Sequence, residues 1–231
     1  MRLLVVIPAY NEEASLASTV DELRQKAPDV DYIIVNDGSG DRTAQVCREQ
    51  GFPLLDLPTN LGLTGAFQTG IRYALEHGYD AALQLDADGQ HDPAFVCPMA
   101  EKMEREKLDL VLGSRFLRER RPRSLRMFGN ALIEGAIRLT TGKKITDPTC
   151  GMRMYGRRVM KHMAYSPVAR PEPDTLAFLI RCGARVAEYP VSIRERQAGM
   201  SYLSLSSSFR YMTQMGMNIF ILQWVLKKEK L

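Results

Sequence analysis

Short apolar runs alternate with amphipathic stretches through the first half of the chain. The apolar runs predict β-strands over residues 3–8, 31–37, 53–57, 81–88 and 108–115. The stretches with helical spacing predict α-helices over 14–26, 42–50, 67–78 and 93–106. This alternation indicates an α/β fold, a mainly parallel sheet with helices on both faces.

The second half is less regular. Helical spacing recurs over 123–141 and 174–183, a loop with a short strand is predicted over 143–155, and a strand over 185–196. From residue 204 to the end the pattern is again helical. The sequence therefore predicts one domain over residues 1–203 and an amphipathic helical extension over 204–231.

Composition narrows the class of protein. The 231 residues are 25% charged and 45% hydrophobic, which is typical of one globular domain. A net charge of +4 without an aromatic-basic pattern argues against nucleic-acid binding, although the arginine-rich segment 115–126 is a candidate anion-binding patch. Four widely spaced cysteines argue against a zinc site or disulfides, and the start of the sequence lacks a signal-peptide pattern. We therefore expect a cytoplasmic protein.

Two carboxylates follow the fourth predicted strand directly. Asp86 and Asp88 stand at positions i and i+2, where their oxygens converge beyond the strand end. Such hard oxygen ligands suit Mg²⁺ or Mn²⁺ bound to phosphate. By spacing alone, the same pattern also fits an ordinary surface turn.

Two glycine-containing segments supply further binding chemistry. Asp37 ends the second strand and precedes a Gly-Ser-Gly turn, which suits a nucleobase or ribose hydroxyl. Glycines between Asn60 and Gly70 precede and interrupt a helix start, which favours anion binding at its N-terminus.

Six ordered motifs resemble those of the family-2 glycosyltransferases, and most closely those of the dolichol- or polyprenyl-phosphate sugar synthases. The motifs are PAYNE (8–12), NDGSGDRT (36–43), NLGLTGAFQTG (60–70), DADGQH (86–91), GSR (113–115) and DPTCGMR (147–153). The resemblance covers about residues 3–202. It implies a GT-A fold with a Rossmann-like sheet, a nucleotide-sugar donor and a metal at the DxD motif.

The resemblance also implies roles for individual residues. The nucleoside would be framed by Pro8, Tyr10, Glu12, Val35 and Asp37, and the diphosphate would lie along Asp86, Ala87 and Asp88. Asp88 and Gln90 would bind the metal. Arg115 and Arg196 would face phosphate oxygens, to which a guanidinium is suited. His91, the only histidine near the site, could contact metal-bound water but is interpreted as a loop residue.

The sequence allows two kinds of acceptor, a phosphate group or a sugar hydroxyl. A phosphate acceptor is already ionised and needs positioning and charge, with Arg115 as the cation, whereas a sugar hydroxyl needs a carboxylate base. Asp147, Glu172 and Asp174 are the base candidates, each of which could instead cap a helix or pair with an arginine. Tyr202 stands where the synthases carry lysine, and Ala131 where an arginine is expected, so acceptor identity is less secure than donor chemistry.

The C-terminal extension has Met212, Met215, Ile219, Leu222 and Leu226 at helical spacing, with Trp224 and then Lys227, Lys228 and Lys230 at its end. This pattern fits an anionic membrane surface or a small membrane protein. Packing on the chain's own core or on a second copy is the alternative. No run reaches the roughly 20 apolar residues of a membrane span.

We therefore predict an inverting transferase that moves a sugar from UDP or GDP onto polyprenyl phosphate at the cytoplasmic membrane face. Transfer to a hydroxyl of a growing cell-surface polysaccharide and a non-catalytic nucleotide-sugar-binding subunit are the alternatives. The sequence names neither the sugar nor the oligomeric state.

Overall fold

The computed structural model of the protein describes residues 1–118, 125–166, 169–194 and 214–221. Seven strands form one sheet in the order β3-β2-β1-β4-β6-β5-β7. The strands are β1 (Leu3–Ala9), β2 (Asp31–Asn36), β3 (Leu54–Asp56), β4 (Ala81–Gln84), β5 (Leu110–Ser114), β6 (Arg153–Gly156) and β7 (Val186–Pro190).

The sheet is parallel except at one strand. β6 pairs antiparallel with both β4 and β5, and every other pairing is parallel. The prediction of a mainly parallel sheet is confirmed. Because six strands share one direction, their carboxyl ends lie along one edge of the sheet, where ligands bind in open α/β folds.

In the described part of the chain, seven α-helices between β1 and β7 cover the two faces of the sheet. They are α1 (Leu16–Lys26), α2 (Thr43–Glu49), α3 (Gly62–Glu76), α4 (Val96–Arg105), α5 (Leu125–Thr141), α6 (Arg157–Tyr165) and α7 (Pro173–Arg181). Helices α1, α2 and α4 pack on one face, and α3, α5, α6 and α7 on the other. Each face thus has its own apolar core, as the doubly covered fold requires.

Helix α3 crosses the sheet unusually closely. A Cβ atom at Gly70 would lie 2.3 Å from Cγ1 of Val6 on β1, so no larger residue fits without displacing the helix. The neighbouring Phe67 is fully buried, which contributes about 1.5–3 kcal/mol relative to an exposed ring. This close packing fixes the N-terminus of α3 above the carboxyl edge of the sheet.

Two helices differ from the sequence prediction. α3 begins at Gly62, five residues before the predicted start at Phe67, since the glycines are part of its first turns. α6 was not predicted, although Val159, Met160 and Met163 have helical spacing and are buried on one face. Glycines weaken the helical pattern at the start of α3. The short length of α6 weakens its pattern.

A further helix, α8, covers residues 214–221. Its Met215 and Ile219 are buried in the same core as α5 and α7. We predicted that these two residues share a membrane-facing stripe with Met212, Leu222 and Leu226; for Met215 and Ile219 that is wrong, because they pack on the protein's own core. Met212, Leu222 and Leu226 lie outside the described residues.

The opposite side of α8 is apolar as well. Met217, Phe220 and Ile221 are exposed there. Helix α5 carries a second exposed apolar row, Phe128, Leu132 and Leu139, at helical spacing on its outer side. Within the described ranges, no helix is both long and apolar enough to span a bilayer.

Candidate active site

The loops after β1 and β2 interlock through hydrogen bonds. The Asn11 amide donates to Ser39 Oγ at 2.9 Å, and the Gly40 amide donates to Asn11 Oδ1 at 2.9 Å. The Glu12 amide donates to Thr43 Oγ1 at 2.9 Å. Two separate motifs therefore form one rigid wall at the carboxyl edge of the sheet.

This wall borders a first cleft of about 410 Å³. Most of the residues predicted to bind the donor line it. The lining residues are Pro8, Ala9, Tyr10, Glu12, Asp37, Asn60, Gly62, Leu63, Ala66, Asp86, Ala87 and Asp88. The sequence motifs thus converge, because each follows a strand that ends at the same edge.

Asp37 joins the second motif to α3. Its Oδ1 accepts a hydrogen bond of 2.7 Å from the Leu61 amide. The next residue, Gly38, has φ +64°, and a Cβ there would lie 2.6 Å from the backbone carbonyl carbon of Thr59. Only glycine fits, so Asp37 is held against the start of α3.

Val35 does not reach this cleft. Its side chain is fully buried in the core between the sheet and α3. Any contact of Val35 with the nucleoside would therefore have to come from its backbone, and that role stays a prediction. Successive strand residues point to opposite faces, and the motif did not reveal which face Val35 occupies.

The DADGQH segment folds into a tight, hydrogen-bonded turn. Asp88 is 3% exposed, and its Oδ1 accepts a hydrogen bond of 3.0 Å from the Gln90 amide. The side-chain amide of Gln90 reaches the Arg194 carbonyl at 3.5 Å. Asp88 and Gln90, the predicted metal ligands, therefore lie side by side.

His91 is more than a loop residue. It is 3% exposed, and its Nδ1 accepts a hydrogen bond of 3.1 Å from the Asp86 amide. An accepting Nδ1 places the proton of the neutral ring on Nε2, which lies 3.5 Å from Asp86 Oδ2. The ring thus holds the Asp86 backbone and faces its carboxylate, a contact that the interpretation as a simple loop residue missed.

A second cleft of about 420 Å³ adjoins the first. The two share Gly62, Leu63 and Asp86. The other lining residues are Leu61, Thr64, Gln84, Thr149, Cys150, Gly151, Arg153, Pro171, Glu172 and Pro173. Asp86 therefore stands where the two clefts meet.

Arg115 lies beside the second cleft in a bidentate ion pair with Asp147. Its Nε and Nη2 donate to the two carboxylate oxygens at 2.6 and 2.8 Å, and Nη2 also donates to Thr149 Oγ1 at 3.1 Å. Burial alone lowers the pKa of the Arg115 guanidinium, but the hydrogen bond and charge of Asp147 outweigh it and raise that pKa. Arg115 is thus a fixed, permanent cation.

Glu188 on β7 holds this ion pair in place. Its carboxylate accepts hydrogen bonds from the Thr146 amide and the Asp147 amide, each at 2.9 Å, and from Thr146 Oγ1 at 2.7 Å. Glu188 lies outside all six sequence motifs. A lone acid in the strand VAEYP was the available signal.

The other two base candidates, Glu172 and Asp174, lie in different surroundings. Glu172, the residue before α7, lines the second cleft. Asp174 is 4% exposed, and its Oδ1 accepts a 2.7 Å hydrogen bond from the Thr175 amide in the first turn of α7. The structure therefore brings Glu172, and not Asp174, to the cleft.

The residues after β7 contact the DADGQH turn. Arg194 donates to Glu22 at 2.8 Å and to Asp92 at 2.6 Å, and its amide donates to the Gln90 carbonyl at 2.9 Å. Arg196, predicted to face phosphate, and Tyr202 lie outside the described residues. Arg194, the last described residue before the segment that carries them, lies next to Gln90.

The cysteine near the site is chemically inert. Cys150 lines the second cleft and, like the other three cysteines, forms no disulfide bond. Burial raises the pKa of its thiol to about 12. Because a thiol attacks as its thiolate, Cys150 is unsuited to nucleophilic catalysis near neutral pH.

The profile of the family described as Glycosyl transferase family 2 matches residues 4–164. This chain belongs to glycosyl transferase family 2. The family assignment agrees with the six motifs and makes the protein a glycosyltransferase.

Two relatives extend the family-2 match over most of the chain. An undecaprenyl-phosphate mannosyltransferase of Micrococcus luteus is 32% identical over 219 residues, which cover 88% of this chain and 88% of the relative. A polyprenol monophosphomannose synthase of Mycolicibacterium smegmatis is 29% identical and covers 89% of this chain and 82% of its own. Both names describe transferases with a polyprenyl-type acceptor.

A solved structure confirms the GT-A architecture of this family-2 protein. The mannosyltransferase PcManGT of Pyrobaculum calidifontis, in complex with GDP-Man and Mn²⁺, matches with a TM-score of 0.68 and 18% identity. The match covers 98% of this chain and 65% of that one. At this identity the likeness shows the fold alone.

The family-2 site offers an oxygen-rich but incomplete set of metal ligands. In the described part of the chain, no three His, Cys, Asp or Glu side chains group closely enough to bind a metal by themselves. Two carboxylates and the Gln90 amide at one turn fit Mg²⁺ or Mn²⁺, which typically take remaining ligands from substrate phosphates and water. The residues present therefore fit a metal that binds together with a nucleotide.

Proposed function

We propose that this family-2 enzyme is an inverting transferase that moves a hexose or N-acetylhexosamine from a UDP- or GDP-sugar onto polyprenyl phosphate. The observation that carries the proposal is the ion pair between Arg115 and Asp147. It supplies a fixed cation beside the second cleft while occupying the carboxylate that would otherwise be the natural base. A site with this arrangement suits an acceptor that is already an anion.

The two clefts suggest how the donor lies. The nucleoside would occupy the first cleft, between Tyr10 and Asp37. The diphosphate would cross Asp86 and Asp88, and the sugar would enter the second cleft. The position of Asp86 at the junction supports this order, because a donor whose diphosphate lies at Asp86 would extend into both clefts.

Asp88 and Gln90 would hold Mg²⁺ or Mn²⁺, with Asp86 close by. The metal supplies positive charge that stabilises the diphosphate leaving group. The protein positions the ligands: the Gln90 amide holds Asp88 Oδ1, and the His91 ring holds the Asp86 backbone. These contacts orient the carboxylates before any ligand binds, which reduces the reorganisation required during the reaction.

The transfer requires one displacement. A phosphate oxygen of the acceptor forms a bond to the anomeric carbon while the bond from that carbon to the diphosphate breaks, and the configuration inverts. No proton needs to be removed from an ionised phosphate. Arg115 would neutralise charge on the acceptor, or on the leaving diphosphate, with a rigid guanidinium suited to phosphate oxygens.

Glu172 supports a second candidate function. It is the base candidate that lines the second cleft, and a carboxylate there suits an acceptor with a sugar hydroxyl, as in a growing cell-surface polysaccharide. The two functions make opposite predictions for Glu172→Gln. This change would abolish transfer to a hydroxyl but spare transfer to a phosphate.

A peripheral position at the cytoplasmic face of the membrane would bring this site to a lipid acceptor. Two features support it. One is the pair of exposed apolar rows on α5 and α8, and the other is the set of basic residues in segment 115–126, which leads into α5, and at the C-terminus, after α8. Apolar groups combined with cations favour anionic leaflets. A small membrane protein or a second copy could use the same surface.

The decisive experiment incubates purified protein with Mn²⁺, polyprenyl phosphate and a panel of UDP- and GDP-sugars. We expect a lipid-linked sugar whose anomeric configuration is opposite to that of the donor, and loss of product on chelation. Parallel reactions with Glu172→Gln protein and with oligosaccharide acceptors separate the two candidates. Product formed only on the oligosaccharide would contradict the phosphate acceptor.

A further inference from the structure

Gln84 is a polar residue at the end of an otherwise apolar strand. It is the last residue of β4 and is 2% exposed. Its strand neighbours in register are Val6 on β1 and Arg153 on β6. A buried amide in a central strand costs free energy unless its polar atoms are satisfied, so its contacts need an explanation.

One of the two polar atoms of the Gln84 amide has a hydrogen-bond partner within the protein. Gln84 Nε2 donates a hydrogen bond of 3.1 Å to Asp86 Oδ1. An ionised carboxylate can only accept, so the nitrogen must face Asp86, and this fixes the orientation of the amide. Gln84 Oε1 is buried and has no hydrogen-bond partner in the part of the chain that the structure describes.

The unsatisfied oxygen belongs to a residue that lines the second cleft. Gln84 contributes to that cleft together with Asp86, Gly151 and Glu172. Buried side-chain acceptors without a partner are rare in folded proteins, and one beside a binding cleft indicates a partner that arrives with the ligand. Leaving this oxygen unpaired has a cost that ligand binding would remove.

We propose that Gln84 is a specificity-determining residue whose Oε1 accepts a hydrogen bond from a hydroxyl group of the donor sugar. This inference rests on the proposed function, because it needs the sugar in the second cleft. It goes beyond that function by assigning sugar recognition to a residue outside the six motifs.

The chemistry of the substrates favours a sugar hydroxyl. A carbonyl oxygen needs a hydrogen-bond donor, but the diphosphate and an ionised phosphate acceptor present mainly acceptor oxygens. Sugar hydroxyls supply donors, and their positions differ between epimers. Because Nε2 is fixed by Asp86, Oε1 has a defined direction and can distinguish one hydroxyl from another. A site with a buried polar group rejects an analogue that leaves the group unpaired.

The test combines a substitution with deletion of single hydroxyls. Gln84→Met preserves the length of the side chain but removes both polar atoms. Dissociation constants are measured by calorimetry, with Mn²⁺ and without acceptor, for the nucleoside diphosphate, the parent nucleotide sugar and its monodeoxy analogues. The matched control is Gln45→Met, a change on α2 that affects only surface contacts with Arg42 and Glu49.

We expect one deoxy analogue to bind the unsubstituted protein about 10-fold more weakly than the parent sugar. In Gln84→Met that difference should disappear, because the parent sugar itself loses the contact. Binding of the nucleoside diphosphate should be the same in all three proteins. If Gln84→Met does not fold, Gln84→Asn, which withdraws the amide by one methylene, should lose the same discrimination.

Three results would overturn the inference. Equal deoxy penalties with and without Gln84 would mean that Oε1 does not contact the sugar. Equal weakening of nucleoside diphosphate and nucleotide sugar would mean that Gln84 acts through Asp86 or a metal-bound water. If the unsubstituted protein binds no nucleotide sugar at all, the proposed function fails together with the inference; the first two results overturn the inference alone.

Discussion

Asp147 holds Arg115 through both of its carboxylate oxygens, with Nε–Oδ2 and Nη2–Oδ1 distances of 2.6 and 2.8 Å. The Arg115 amide donates to the same carboxylate at 3.1 Å. Both oxygens of this carboxylate are therefore already engaged, and breaking a buried ion pair is costly. The geometry makes Asp147 a positioning residue for the guanidinium.

Asp147→Asn should therefore lower kcat/KM without changing the shape of its pH profile. We expect a loss of about 1.5–3 kcal/mol in transition-state stabilisation, the range for a hydrogen bond to a charged group. The measurement is steady-state kinetics from pH 5.5 to 8.5 with polyprenyl phosphate. Loss of an ionisation on the acidic limb of the profile would instead identify Asp147 as a base.

Glu188→Gln tests the carboxylate that holds the Arg115–Asp147 ion pair in place. Its carboxylate accepts from two backbone amides and from Thr146 Oγ1. The neutral amide should weaken these contacts, lower the melting temperature and reduce kcat. Nucleotide binding in the first cleft should remain unchanged. Calorimetry and thermal unfolding measure these effects, with the exposed Glu76→Gln as the matched control; a parallel loss of nucleotide affinity would refute a local role.

Much of the site could be predicted because it depends on strand direction. Tyr10, Asp37 and Asp86 follow parallel strands, and parallel strands end at one edge. The ion pair between Arg115 and Asp147 was harder to predict from the sequence, because the two residues are 32 residues apart. They meet only because β6 inserts antiparallel beside β5. No local pattern specifies such an insertion.

The sequence also did not reveal which individual side chains lie in the core and which line the cleft. Val35 and Asp37 are only two residues apart, but the Val35 side chain lies in the core whereas Asp37 lines the first cleft, and only the folded structure distinguishes them. His91 illustrates the same limit, because its contact with the Asp86 backbone depends on the turn between them. Periodicity predicts elements well, but contacts within turns depend on individual hydrogen bonds.

Asp88 provides the test of metal binding. Because Asp88 is buried and accepts from the Gln90 amide, Asp88→Ala would remove a structural contact as well as a charge. Asp88→Asn is the sharper change, since its oxygen can still accept that hydrogen bond. We expect the fold to be retained and the Mn²⁺-dependent part of UDP or GDP binding to be lost.

Calorimetric titrations of UDP or GDP with and without Mn²⁺ measure the metal-dependent part of nucleotide binding directly. Asp92→Asn is unsuitable as a control, because Asp92 pairs with Lys26 and Arg194. Asp80→Asn, at the opposite end of β4, is the better one. Metal-dependent affinity that survives in Asp88→Asn would show that the metal is bound elsewhere.

The last prediction concerns the two sides of α8. Met215 packs in the core at 3% exposure, whereas Met217 is 59% exposed on the same helix. Met215→Ser should lower stability by about 2–5 kcal/mol, the cost of deleting a buried side chain of this size. The triple change of Met217, Phe220 and Ile221 to serine should leave the melting temperature nearly unchanged. It should, however, release the protein from anionic liposomes.

The expected release follows from the apolar area that would enter the membrane. Each of the three side chains contributes up to about 1.5–3 kcal/mol when fully buried. Sedimentation with anionic and neutral liposomes measures the effect, and added salt should weaken binding to the anionic ones, because charges are screened over about 10 Å at 0.1 M. Removal of everything after residue 203 is a poor test, since it would also uncover the core beneath Met215 and Ile219. If the triple variant sediments with liposomes as the unsubstituted chain does, α8 is not the membrane contact; if it instead dissociates an oligomer, the exposed row is a protein interface.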